Sequence, residues 1–322
     1  MGSRALRVGA AAILCALTLR LFASGFPEKL LSWLTSPDTA AFLIYLETGR
    51  DVRFSPSQEA FSVDFVESPP PAAPEPTEPP LPSFSDPEMV KLYYACSVSP
   101  DIGALMEQPL NWDLTGDQPT VLILHTHGSE AYTMPPGEEY EDTGSFRTAD
   151  ASVSVIRVGD ELARVLSGYG ISVLHDRALY DDPEYNGAYY RAEDAIEAYM
   201  EKYPSIGFIL DVHRDALEDK AGHQYKVVTR EDPDCAQVSL VMGSSWEGWQ
   251  ENLKFAVAVQ QHLTERYPTL MRPLTLRNSD YNEYFTPGSL LVEIGAAGNS
   301  LDEALKAVRV FGEGFAEVVT GK

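Results

Sequence analysis

"TVLILHTHGSEAYT", residues 120–133, sets four consecutive apolar residues, Val121 to Leu124, directly before His125, His127, Ser129 and Glu130. An unbroken apolar run of that length reads as a strand buried on both faces, the pattern of a parallel sheet packed between helices. Such strands usually give way to Gly, Asn or Asp; imidazoles and a carboxylate in that place are metal-ligand or acid–base types. The stretch therefore points to an α/β fold and to a chemical site beyond the strand, where open α/β sheets form their sites.

Further apolar runs follow at 171–174, 206–212, 238–242 and 290–294. Between them "SVIRVGDELARVLSGYG", "YYRAEDAIEAYMEKYP" and "WQENLKFAVAVQQHLTERYP" carry apolar residues at helical spacing, and a last helix is predicted to start near Leu301. The expected fold is α/β, with a mainly parallel or mixed central sheet and helices on both faces. The lead-in from Pro87, "PEMVKLYYACSVSPDIGALMEQPLNWDL", reads as a short helix and a loop.

Upstream the composition changes. Arg4 and Arg7 precede an apolar run that continues past Arg20 to Phe26, the pattern of an uncleaved signal anchor over residues 1–26, with cleavage near Ala23 to Gly25 as the alternative. A juxtamembrane segment follows at 27–66, and the proline-dense "ESPPPAAPEPTEPPLPSFSD" at 67–86 is a linker, since proline removes amide donors and holds the chain extended. The catalytic domain is expected at 87–322. A net charge of −24 in 322 residues argues against nucleic acid as a partner, because phosphate binding needs a basic face. Cys15, Cys96 and Cys235 have no paired spacing; at most Cys96 and Cys235 form one bridge, and two unpaired core thiols are the plainer expectation.

Three runs bring chemistry-bearing residues: "LILHTHGSE" has His125, His127 and Glu130, "ILDVHRDA" has Asp211, His213, Arg214 and Asp215, and "LLVEIGAAGN" has Glu293. His127 and Glu130 stand three apart, so both reach one ion from a tight turn, and His213 supplies a third ligand from another strand. Two histidines and a glutamate leave a fourth position for water, the plan of hydrolytic zinc sites, and Glu293 is placed to act as general base. An isolated His-x-x-Glu is usually coincidence and a lone strand histidine usually a core residue; their recurrence on three strands is what carries the reading. His175 is a weaker ligand candidate, His125 is expected to orient a ligand, and His223 and His262 read as loop and helix-surface residues. No nucleophile elbow, phosphate-binding loop or dinucleotide fingerprint is present.

"VLILHTHGSEAYT", "YNGAYYRA", "YPSIGFILDVHRDA", "WQENLKFAVAVQQHL", "RYPTLMRPLTLR", "YNEYFTPGSLLVEIGAAGN" and "LDEAL" together resemble the stage II sporulation protein P family of endospore-forming bacteria, from about Pro119 to the C-terminus. The resemblance implies a zinc-dependent N-acetylmuramoyl-L-alanine amidase with an amidase or zinc-carboxypeptidase-like fold, cutting stem peptides from peptidoglycan strands, with a further activity on peptide cross-links. It implies a membrane-anchored enzyme on the outer face of the cytoplasmic membrane, acting in forespore engulfment beside the lytic transglycosylase stage II sporulation protein D and the membrane protein stage II sporulation protein M. Carried over by position, the family's histidines match His127 and His213, and its late glutamate matches Glu293. Its acidic ligand matches Glu130 or, at the start of the following helix, Asp150. Arg214, Arg272 and Arg277 are candidates to hold a substrate carboxylate, Arg214 and Arg277 foremost. The alternatives are a zinc carboxypeptidase, which shares the ligand spacing, and a wall-binding scaffold without activity.

Overall fold

The computed structural model describes residues 92–321 except 109, 111, 113–117, 143, 144 and 221. The expected anchor, juxtamembrane segment and proline-rich linker lie outside the described residues, and among the described residues no helix is long and apolar enough to cross a membrane. In chain order the elements are β1 (Leu92–Ala95), α1 (Ile102–Met106), β2 (Val121–Leu124), α2 (Val155–Gly168), β3 (Val173–His175), α3 (Ala188–Lys202), β4 (Phe208–Asp215), β5 (Val238–Gly243), α4 (Trp249–Arg266), β6 (Leu274–Arg277), a 3-10 turn (Glu283–Phe285), β7 (Gly288–Ala296) and α5 (Leu301–Thr320).

The strands form one sheet in the order β1-β6-β5-β7-β4-β2-β3. All neighbours are parallel except β5 and β7, which pair antiparallel. The sheet is therefore mixed: β7, β4, β2 and β3 run one way and β5, β6 and β1 the other.

Alternation of side chains along each strand sends Val121, Ile123, Leu210, Val212, Leu290, Val292, Leu240 and Met242 to one face, where α2, α4 and α5 close the main core. Phe208, Phe255, Phe311 and Phe315 fill that core, with ring centroids 5.4–6.2 Å apart in offset or edge-on contacts. On the opposite face Leu122, Leu124 and Ile209 pack against Ala188, Ala192 and Ile196 of α3. Burying each such Leu or Ile stabilises by about 1.5–3 kcal/mol. This second cover is partial. Register places Glu293 opposite Ser239, Val241 opposite Thr275 and Gly243 opposite Arg277, so the half of this face built by β7, β5 and β6 mixes polar side chains with the buried Val241 and Leu291, and the Ser279–Asp280 main chain packs on Gly243.

Several boundaries differ from the sequence reading. β4 runs on to Asp215 and β7 to Ala296, so His213 and Glu293 stand within strands and face each other in register. The expected strand at 171–174 is reduced to Val173–His175 at the sheet edge. Within its described residues the lead-in holds the expected short helix, α1, but preceded by a strand, β1, and "LTLR" is a second strand that the reading did not assign. Both are four-residue elements whose identity depends on their sheet neighbours rather than on their own pattern. Cys96 and Cys235 are free.

Candidate metal centre and cleft

The turn after β2 shapes the first two donors. Glu130 N–H donates to His127 C=O at 3.0 Å, closing a turn that brings both side chains to one side. Main-chain bridges from Glu130 to Arg147 and from Ala131 to Ser154 fix the turn to the segment before α2. His213 arrives from β4, and one donor atom from each of His127, Glu130 and His213 lies within 4.8 Å of the others. His213 Nδ1 is 3.3 Å from Glu130 Oε2 and His127 Nδ1 is 3.8 Å from Glu130 Oε1. Two ligands of a tetrahedral ion at about 2.0–2.1 Å stand about 3.3 Å apart, so this spacing fits one small cation.

Protonation suits the same purpose. Burial lowers His127 to about 3, leaving a neutral ring with a free lone pair. Burial works against the Glu130 anion, but Arg214, His213 and Arg147 together hold its pKa well below the usual carboxylate range. For His213 burial likewise disfavours charge, yet Asp211 and Glu130 outweigh it and raise the ring's pKa. A proton held between two carboxylates is what a cation would replace.

Supporting groups surround each donor. Asp211 Oδ1 lies 2.9 Å from His213 Nε2, and Asp211 is itself fixed by Thr126 N–H at 2.8 Å and Thr126 Oγ1 at 2.6 Å. A carboxylate behind a ligating imidazole fixes the ring's orientation. Arg147 donates to Glu130 Oε1 at 3.1 Å and to Asp181 Oδ2 at 2.6 Å, while its guanidinium lies 4.7 Å over the Tyr185 ring. Tyr185 in turn stacks on His127 at 4.7 Å and 18°. Arg191 holds the main chain beneath this stack through Tyr180, Glu184 and Asn186 carbonyls.

Glu293 sits beside His213 in the sheet register, with its Oε2 buried and without a hydrogen-bond partner. Burial first, then Asp215, pushes its pKa up to about 8. Asp150 lies outside the cluster: it is exposed and takes Ser152 N–H and Oγ at 2.9 and 2.7 Å. Of the arginines, Arg214 is buried and donates to the Ala131, Ser145 and Phe146 carbonyls, so its side chain braces the loop over Glu130. Those bonds use Nε and Nη2, and Nη1 lies 3.9 Å from Glu130 Oε1, so the guanidinium is directed to the loop and to Glu130. Arg272 is paired with Asp215 at 2.6 Å, and Arg277 is exposed on β6.

His125 is no ligand. Its Nδ1 is 2.8 Å from Val212 C=O and its Nε2 is 2.9 Å from His175 Nε2, whose Nδ1 faces Asp160. Gly159 makes room for the pair, since a Cβ there would lie 2.5 Å from both Nε2 atoms. His175 is thereby spent behind the site, His223 pairs with Asp219 on the surface, and His262 pairs with Glu317. Asp211 was legible as a partner of His213, since residues two apart on a strand share a face. Arg147, Asp181 and Tyr185 come from loops and leave no local signal.

Residues 73–316 match the family model described as Stage II sporulation protein P. Stage II sporulation protein P of Bacillus subtilis (strain 168) is 26% identical over 219 residues, which are 63% of this chain and 52% of that protein. The chain thus spans about half the length of that relative. Among solved structures, N-acetylmuramoyl-L-alanine amidase AmiC2 of Nostoc punctiforme is 15% identical, covering 63% of this chain and 96% of its own, with a TM-score of 0.37. The CwlD amidase from Clostridioides difficile, solved with the GerS lipoprotein, is 10% identical, covering 63% and 100%, with a TM-score of 0.39. With a family model spanning its sheet, its ligand cluster and most of α5, the chain belongs to the Stage II sporulation protein P family.

Proposed function

We propose that the chain is a membrane-anchored zinc hydrolase that cleaves the amide bond between N-acetylmuramic acid and L-alanine in peptidoglycan. Peptide cross-links are a second substrate, and the setting is septal wall remodelling during forespore engulfment, with stage II sporulation proteins D and M as partners. The N-terminal anchor would hold the catalytic domain on the outer side of the cytoplasmic membrane. The observation that carries the reading is the convergence of His127, Glu130 and His213 on one small volume with the unpartnered Glu293 carboxylate beside it.

His127, Glu130 and His213 would hold the zinc ion. When bound, it supplies Lewis acidity toward the amide carbonyl and lowers the pKa of a coordinated water to about 7. Asp211 keeps the His213 ring in its ligating orientation, and the Tyr185 and Arg147 stack does the same for His127 and Glu130. His213 and Arg214 oppose the rise in the Glu293 pKa and favour its carboxylate. Its Oε2 then accepts a proton from the attacking water and delivers it to the leaving amine. Metal analysis of the purified protein, with mass spectrometry of its products on isolated peptidoglycan, tests the reading. New L-Ala amino termini with intact lactyl groups are expected; release of single terminal amino acids would favour a carboxypeptidase.

A further inference from the structure

Four arginines approach the cleft, and three are committed. Arg214 donates to three main-chain carbonyls, Arg147 pairs with Glu130 and Asp181, and Arg272 pairs with Asp215. Arg277 differs: among the described residues it makes no ion pair and its side chain bonds only the Tyr281 hydroxyl, although a chain of net charge −24 has carboxylates in excess. It is also exposed.

Its position is set by the sheet. Arg277 pairs in register with Gly243 of β5, and β5 pairs with β7, the strand of Glu293. Thr275, Ser239 and Glu293 share its face, where the main chain of Ser279 and Asp280 packs on Gly243 and leaves Arg277 exposed at the rim. The wall beside it is Tyr281, whose ring lies 5.9 Å from Tyr189, and Tyr189 lies 5.5 Å from His127. The guanidinium also feels the catalytic carboxylate: burial works against its charge, but Tyr281, Asp215 and Glu293 more than offset this.

Glu293 delivers its proton to the departing amine, so the leaving side of the substrate lies on Glu293's side of the metal cluster. From there the Tyr189 and Tyr281 rings lead from His127 to Arg277. On the amidase reading, on which this inference rests, we propose that Arg277 anchors a backbone-borne carboxylate in the first few residues of the departing stem peptide, fixing which way the substrate lies across the sheet. Arg277 is then a specificity-determining residue: a planar guanidinium takes a carboxylate through two parallel N–H···O bonds and takes a carboxamide poorly. Arg214 and Arg272, already bonded, cannot substitute for it.

The test uses the full-length protein with two soluble substrates, N-acetylmuramoyl-L-Ala-D-isoglutamate, which has a free α-carboxylate, and its isoglutamine amide. Wild type is expected to favour the acid. Arg277→Ala should reduce kcat/KM about 10- to 100-fold on the acid, mainly through KM, and leave the amide unchanged; Arg277→Lys should recover part of the loss. Calorimetry with the product L-Ala-D-isoglutamate should show the same loss of binding without any turnover. Equal losses on acid and amide would mark Arg277 as merely structural and overturn the proposal, as would an unchanged KM on the acid. Those results, obtained while wild type still cuts both substrates, leave the amidase reading standing. Failure of wild type to cut either one at the lactyl amide would overturn both.

Discussion

At the scale of single residues, the site separates ligands from the base by geometry. Glu293→Gln removes a proton acceptor but no proposed metal donor, so turnover is expected to fall about 10²- to 10⁴-fold with metal content unchanged. Loss of metal together with activity would make Glu293 a ligand. Glu130→Ala should purify with little zinc, because removing one of three protein donors sacrifices much of the binding free energy, whereas Asp150→Ala should keep it. Metal analysis of the two variants, with the opposite pattern, would transfer the role to Asp150. The convergence of His127, Glu130 and His213, with Glu293 in register beside His213, was legible because ligand types stood where apolar or turn residues belong. Arg147 and Tyr185 were not, because nothing in a surface loop's sequence records what it folds against. The bonds of Arg214 to the Ala131, Ser145 and Phe146 carbonyls were hidden for a related reason, since they too are made to a loop.

At the scale of elements, α2 and α5 are joined at the edge of the main core by Glu161, which accepts from Arg164 at 2.7 Å and from Arg309 at 2.6 Å. The Arg164 bond, opposed by burial and aided by Arg309, lowers the carboxyl from 4.5 to about 2. A folded pKa below the unfolded one contributes stability above the unfolded value and loses it as pH falls through 4.5 toward 2. Glu161→Gln should therefore lower the melting temperature by about 1–3 °C near pH 7, in keeping with a largely exposed ion-pair network. Near pH 2 the difference should vanish; a constant offset at all pH values would assign the effect to packing. The long helices α2, α3, α4 and α5 were legible because amphipathic spacing persists over several turns. β1 and β6 were not, since four residues hold barely two periods of alternation and each is defined by its sheet neighbours, β1 by β6 and β6 by β5 and β1.

At the scale of the whole molecule, the lead-in before β2 belongs to the domain. β1 extends the sheet beside β6, and Trp112 donates to Val319 C=O at 2.7 Å while its ring meets Phe208 and Phe255 edge-on at 5.5 and 5.3 Å. A fragment starting at residue 87 is expected to fold and cleave wall without the upstream segments. A fragment starting at residue 118 loses β1, the half-buried Trp112 and the buried Leu105 of α1, and deleting a buried Leu side chain alone costs about 2–5 kcal/mol. Its denaturant midpoint should fall sharply. Equal midpoints for the two fragments would place the domain boundary after Trp112.

The same docking of β1 and Trp112 gives the molecule a mechanical entry point. Any tension arriving from the N-terminal side reaches the domain through Leu92–Ala95, an edge strand held by one neighbour. The next restraints are Leu105 of α1, buried in the main core, and Trp112, edge-on to Phe208 and Phe255. Six strands and the His127, Glu130 and His213 cluster lie behind them, so a pull peels the rim before it strains the candidate site. The lead-in serves as a fuse in series with that site.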